Sequence, residues 1–189
     1  MEETRFLAGV AAVLLLSLGC GDDDDAGPPV EQATALIRVV HGSPDAPAVD
    51  VLFNGAVVLT NVPYLGASEY LTVPAGPANL QVRVTGTDVV AIEANADLAA
   101  DTAYSVIAVN PVASIEPLVL VDNIEPPAAG QTRVRLIHGA PSAPDVDIYV
   151  TGADDPLTTP LLTGVPYLAV ADDLTAAAGT YRVRIAPEG

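Results

Sequence analysis

From residue 35 onward the chain is a succession of short apolar runs broken by turn formers. In "NLQVRV", Leu80, Val82 and Val84 alternate with Gln81 and Arg83, the period-two pattern of a strand with one buried and one solvated face. Seven more runs between residues 35 and 122 are rich in Val, Ile, Leu and Tyr: "ALIRVVH", "VDVLF", "AVVLTNV", "EYLTV", "VVAIEA", "AYSVIAV" and "EPLVLVD". Pro, Gly, Asn and Asp separate them, and no long amphipathic helical pattern interrupts them. This spacing predicts an all-β antiparallel sandwich. In "VPAG", Val73 to Gly76, a Pro that pre-sets φ and a Gly that accepts positive φ join two strands.

The pattern is written twice. "HGSPDAPAVDV" (His41 to Val51) returns as "HGAPSAPDVDI" (His138 to Ile148) at an offset of 97 residues. Beyond a six-residue insertion around "ADDPLTTP", "TNVPYL" returns as "TGVPYL", and "NLQVRV" is matched to "TYRVRI", which places Tyr181, Val183 and Ile185 inward. A repeat of about 95 residues suits a whole domain rather than a solenoid unit. The predicted organisation is a β-sandwich over residues 35–126 and a partial second one over 131–189. Counterparts of about three strands would fall past Gly189, so the second copy is expected to be incomplete, with a sheet edge and part of a core face uncovered. "RVRIAPEG" reads like the middle of the repeat, and truncation relative to a longer protein is the expectation.

The repeated motif reads as the corner between the first two strands. Gly42 and Pro44 stop one strand, Pro47 keeps the linker extended, and Val49 starts the next; Gly139, Pro141 and Pro144 repeat the arrangement. His41 falls on the same strand face as Ile37 and Val39, so an imidazole there needs a hydrogen-bond partner, and the same holds for His138. Asp50 and Asp147, on the outer face of the second strand, are expected to meet Arg38 and Arg135 across the sheet. The corner residues are therefore expected to be structural. An Asp three residues before Tyr104 resembles the tyrosine corner of immunoglobulin-like domains.

Charge and the N-terminus supply an address. Seven Arg and no Lys face 24 Asp and Glu, a net charge of −17, which repels phosphate backbones and excludes nucleic acid as a partner class. Residues Phe6 to Leu18 form an apolar run of 13 residues, within the range of a signal peptide and short of the roughly 20 that a spanning helix needs. Gly19 and the chain's single cysteine, Cys20, follow it, and the segment resembles a bacterial lipoprotein signal, with Ser17 where such signals usually carry Leu. The resemblance implies removal of residues 1–19 and acylation of Cys20, giving a membrane-anchored extracytoplasmic protein. Residues 20–34, with Asp22 to Asp25, read as an acidic flexible tether. Gly21 is not the Asp that retains many lipoproteins in the inner membrane, so by the same resemblance the outer membrane or cell surface is expected.

"RVVHGSPDAPAVDVLFNG" followed by "NVPYL", "VPAG" and "YSVIAV" resembles the bacterial domain of unknown function 4397. That resemblance implies extracytoplasmic, often lipid-anchored proteins built from repeated immunoglobulin-like units, and it brings no catalytic residues. A hydrolase using His41 with Ser43 and Asp50 is disfavoured, because Ser43 becomes Ala140 in the second copy. A calcium-binding surface protein is the other alternative: Asp145 and Asp147 stand two apart, with Asp154 and Asp155 or Asp172 and Asp173 as further ligands, but Asp145 corresponds to Ala48. One His per domain is too few for zinc. Aromatic residues are scarce, with no Trp, so a protein or cell-envelope partner is favoured over stacked sugars. The expectation is a non-enzymatic structural or binding module without metal or small-molecule cofactor.

Overall fold

The computed structural model describes residues 32–152, 154–156 and 158–189. The expected signal segment, Cys20 and the tether as far as residue 31 lie outside the described residues, as do the side chains of Asp172 and Asp173. The first copy contains eight strands where eight apolar runs predict them: β1 (Thr34–His41), β2 (Val49–Phe53), β3 (Ala56–Val62), β4 (Leu71–Pro74), β5 (Gly76–Val84), β6 (Val90–Leu98), β7 (Ala103–Val109) and β8 (Glu116–Asp122). They form two sheets, ordered β4-β1-β7-β8 and β3-β2-β5-β6. Every pair is antiparallel except β1 with β7, which run parallel because the chain crosses to the other sheet between them.

The core lies between these sheets. Ile37 and Val39 from β1, Val51 and Phe53 from β2, Leu80 from β5, Leu98 from β6 and Val106 from β7 form one buried cluster. Each such side chain contributes about 1.5–3 kcal/mol relative to exposure. The polar alternates Arg38, Asp50, Gln81 and Arg83 are only partly buried, as the period-two pattern requires. Tyr104 anchors the β6–β7 connection: its hydroxyl accepts a hydrogen bond from Ala99 N at 3.0 Å, so the tyrosine-corner contact is formed. Asn54 and Gly55 close the β2–β3 hairpin with φ of 48° and 82°, the left-handed pair that a tight two-residue turn needs.

The second copy contains β9 (Gln131–Ile137), β10 (Val146–Thr151), β11 (Leu162–Val165), β12 (Val170–Ala177) and β13 (Arg182–Pro187). They pair as β12-β9 and β11-β10-β13, reproducing β4-β1 and β3-β2-β5. Among the described residues β9 pairs only with β12, and β13 only with β10, whereas β1 and β5 each have a second neighbour. Val183 and Ile185 are consequently 53% and 66% exposed.

The pairing also corrects the sequence alignment of this strand. Val51 stands opposite Val82, and its counterpart Ile148 stands opposite Ile185. Hence "NLQVRV" corresponds to "RVRIAP", two residues later than the match to "TYRVRI", and the offset of 103 set by the insertion runs on unbroken. A slip of two leaves the alternation of faces unchanged, which is why the pattern alone does not reveal it. Leu80 and Val82, the residues that Val183 and Ile185 replace, are 9% and 2% exposed. The inward side chains expected of this strand therefore face open space, because nothing equivalent to β6–β8 covers them among the described residues.

Candidate functional site at the repeat junction

The repeated corner carries the chain from one sheet to the other. His41, fully buried, places Nε2 3.0 Å from the carbonyl oxygen of Pro47, and His138 repeats the contact with Pro144 at 3.1 Å. A carbonyl oxygen only accepts, so Nε2 carries the proton in both rings. Each ring also meets a tyrosine edge-on, His41 with Tyr64 at 6.1 Å and His138 with Tyr167 at 6.0 Å between centroids. These tyrosines come from the "VPYL" turns, whose leucine N–H donates to the histidine carbonyl: Leu65 to His41 at 2.8 Å and Leu168 to His138 at 2.9 Å. Leu65 and Leu168 hold φ of 64° and 62°, a conformation that costs a non-glycine residue about 1–2 kcal/mol. The turn thus recurs as a partner of the corner, a role that sequence comparison marks only as repetition.

Gly42 donates to Ala108 O at 2.8 Å, and a Cβ at this position would stand 2.8 Å from the same oxygen. Close approach to β7 explains the glycine in the first copy. A Cβ on Gly139 would meet nothing within 4 Å. Pro44 and Pro141 follow these glycines, and Pro47 and Pro144 supply the carbonyls that the imidazoles bind.

Asp50 and Asp147 do not meet Arg38 and Arg135, contrary to expectation, because β1 and β2 lie in different sheets. Asp50 accepts instead from Asn61 N at 2.8 Å, from Thr85 Oγ1 at 2.8 Å and from Gly86 N at 3.4 Å. The Asn61 and Thr85 bonds hold its carboxyl below the usual carboxylate range. Asp147 repeats the first contact, accepting from Gly164 N at 3.0 Å. Asn61 and Gly164 both have left-handed backbones, with φ of 54° and 55°, so the aspartate secures the irregular point of the neighbouring strand in each copy. The Ser43–His41–Asp50 arrangement is not assembled: Nε2 faces Pro47, Asp50 is engaged elsewhere, and Ser43 is fully buried.

The arginines lead to a different place. Arg38 on β1 and Arg135 on β9 converge on Asp122 at the end of β8, whose side chain is 5% exposed. Asp122 Oδ2 accepts from Tyr70 Oη and Ser105 Oγ, each at 2.6 Å, and stands 3.5 Å from Arg38 Nε. Arg135 binds the other carboxylate oxygen and donates to Val121 O at 2.7 Å. Arg38 Nε donates to Ser105 Oγ at 2.7 Å, and its guanidinium lies 5.1 Å from the Tyr70 ring centroid. Burial pushes the Asp122 carboxyl up, but the bonds from Ser105, Tyr70 and Arg135 and the charge of Arg38 outweigh it and hold it below the ordinary value. Burial, then the bond to Asp122, pushes the Tyr70 phenol up.

This network sits under an open cleft of about 340 Å³ between the copies, lined by Arg38, Tyr70, Asp122, Glu125, Arg133 and Arg135 among others. Arg133 donates to Glu125 O at 2.9 Å, fixing the connector that forms one wall. At a second contact between the copies, Tyr167 Oη donates to Asn110 Oδ1 at 2.6 Å and accepts from Asn110 N at 3.1 Å. At the repeat offset of 103 the position matching Asp122 falls past residue 189, so comparison of the repeats within residues 32–189 offers no signal for it.

Among the described residues, the acids considered as calcium ligands are not gathered. Asp145 is exposed whereas Asp147 is buried, and Asp155 Oδ2 accepts from Gly152 N at 3.1 Å. Among the described residues no group of three or more His, Cys, Asp or Glu side chains is placed to hold a metal ion.

A search of curated proteins finds no match to the chain. A family model described as "Domain of unknown function (DUF4397)" matches residues 35–149, which takes in the whole first copy and the His138–Ile148 corner of the second. With more than half of its length matched, and with the corner and turn motifs formed in three dimensions, the chain belongs to the DUF4397 family.

Proposed function

We propose that this protein is a lipid-anchored extracytoplasmic module of the cell envelope that binds a partner in the cleft at the repeat junction. The observation that carries the binding assignment is the gathering there of Arg38, Arg133 and Arg135, three of the six arginines in residues 32–189 of a chain with net charge −17. Long flexible cations concentrated beside a cleft supply directional donors that the rest of so acidic a surface lacks. The address rests on the apolar run before Cys20, with acyl chains on that thiol as the membrane partner and the outer membrane or cell surface as its place. A non-enzymatic role is supported by the engagement of His41 and Asp50 with backbone groups.

Labelling cells with radioactive palmitate and fractionating them tests the address. Wild-type protein is expected to carry label and sediment with membranes, and Cys20→Ala to lose both. Membrane-bound, unlabelled wild-type protein, or Cys20→Ala that still sediments, would refute the anchor.

A further inference from the structure

Resting on the assignment of the junction cleft as the binding surface, we propose that its ligand group is a carboxylate, received by the free edge of Arg38. Arg38 is preorganised for this. Its Nε is held by Ser105 Oγ at 2.7 Å, its Cζ lies over the Tyr70 ring at 5.1 Å from the centroid, and its side chain remains 41% exposed where it lines the cleft. Among the described residues its hydrogen bonding is made through Nε, which leaves Nη1 and Nη2 there as a planar pair of donors. That fork matches the two oxygens of a carboxylate.

The charge around the cleft selects the same class. Arg38, Arg133 and Arg135 give three positive charges against Asp122 and Glu125, a local balance of +1. Asp122 is already surrounded by Ser105, Tyr70 and Arg135 donors, which mute its repulsion of an incoming anion. A monoanion completes this balance, whereas a dianionic phosphate leaves an excess of negative charge beside two carboxylates. The volume of about 340 Å³ admits one sugar ring or one side chain. The scarcity of aromatic side chains against which a sugar ring could stack favours an acidic side chain of a protein as the source, and a uronic acid of an envelope polysaccharide is the alternative that the test separates.

The test is a titration of the isotope-labelled full chain, held in uncharged detergent at low salt, followed by NMR at the arginine Nε–H groups and the backbone. The probes are D-glucuronate, N-acetyl-aspartate N-methylamide, inorganic phosphate and neutral glucose. The expected result is saturable movement of Arg38 Nε–H, Tyr70 and Thr132 with one or both carboxylates, none with glucose, and weaker binding of phosphate. The tighter of the two carboxylates identifies the source. Arg38→Gln, which keeps an N–H donor near the position of Nε but removes the charge and the Nη fork, should weaken binding at least about tenfold while the remainder of the spectrum stays in place. If Arg38→Gln perturbs the fold, Arg38→Lys gives the second reading: it keeps the charge, removes the fork and should still lose affinity. The proposal is overturned if phosphate binds more tightly than both carboxylates, if Arg38→Gln binds as wild type does, or if no carboxylate moves these resonances. In the last case, protection of the cleft by whole envelope material would leave the binding surface standing and remove only the ligand class.

Discussion

Asp122→Asn should be among the most damaging single substitutions outside the core. The side chain is 5% exposed and serves two arginines and two hydroxyls at once. An amide of the same size keeps one acceptor oxygen but turns an NH₂ toward groups that are donors, and it removes the charge opposite both guanidiniums. Breaking a buried pair by removing one partner costs about 3–5 kcal/mol. Arg38 is 41% exposed and Arg135 19%, so both regain water and the lower end, about 3 kcal/mol, applies. Urea unfolding of the full chain, extrapolated linearly to water, measures this. Arg135→Gln, which loses only the link from the second copy, should cost about 1–2 kcal/mol, and the double variant should cost less than the sum, because the residues are in contact. The pH profile adds a second readout. Because the folded Asp122 carboxyl titrates below its ordinary value of about 3.9, its contribution is present above that pH and is lost as pH falls through the folded value. Asp122→Asn should flatten that part of the acid limb. A change below about 0.5 kcal/mol, the range of ordinary surface substitutions, with an unaltered acid limb, would refute the reasoning.

Three further outcomes follow from the corner and the second copy. His41→Ala should lower stability by about 1–3 kcal/mol, because it leaves Pro47 O and the Tyr64 edge unmatched inside the corner; unchanged thermal stability would show that the imidazole is not a structural partner. Gly42→Ala should destabilise clearly and Gly139→Ala hardly at all, since only the former puts a Cβ 2.8 Å from a carbonyl oxygen; equal melting temperatures would contradict the close approach to β7. In limited proteolysis residues 131–189 should be cut before residues 35–126, because β9 and β13 have open edges and Val183 and Ile185 are exposed. Equal resistance of the two copies in a monomer would contradict the open face.

Local pattern made the strands of the first copy legible, since each apolar run is short enough, and bounded firmly enough by Gly, Pro or Asn, to admit one reading. The place of the motif between the first two strands of each copy was legible as well, because it is written twice at one offset and bounded by Gly and Pro. What the pattern could not supply is partnership across the fold. Whether Arg38 meets Asp50 or Asp122 depends on which sheet receives β2, and alternation along a strand is blind to that. The parallel pairing of β1 with β7 and the two-residue register of β13 escape for the same reason: neither changes which residues face inward. The junction cleft is the extreme case, assembled from β1, β8, β9 and the segments beside them, around an acid whose partners come from four different places in the chain.

The binding surface itself is tested most directly by hydrogen–deuterium exchange on the full chain, alone and with solubilised cell-envelope material. The account predicts slowed exchange in residues 121–135, around Arg38 and at Tyr70, with the His41–Val49 corner unchanged. Protection confined to the corner, or no change at the cleft, would contradict it.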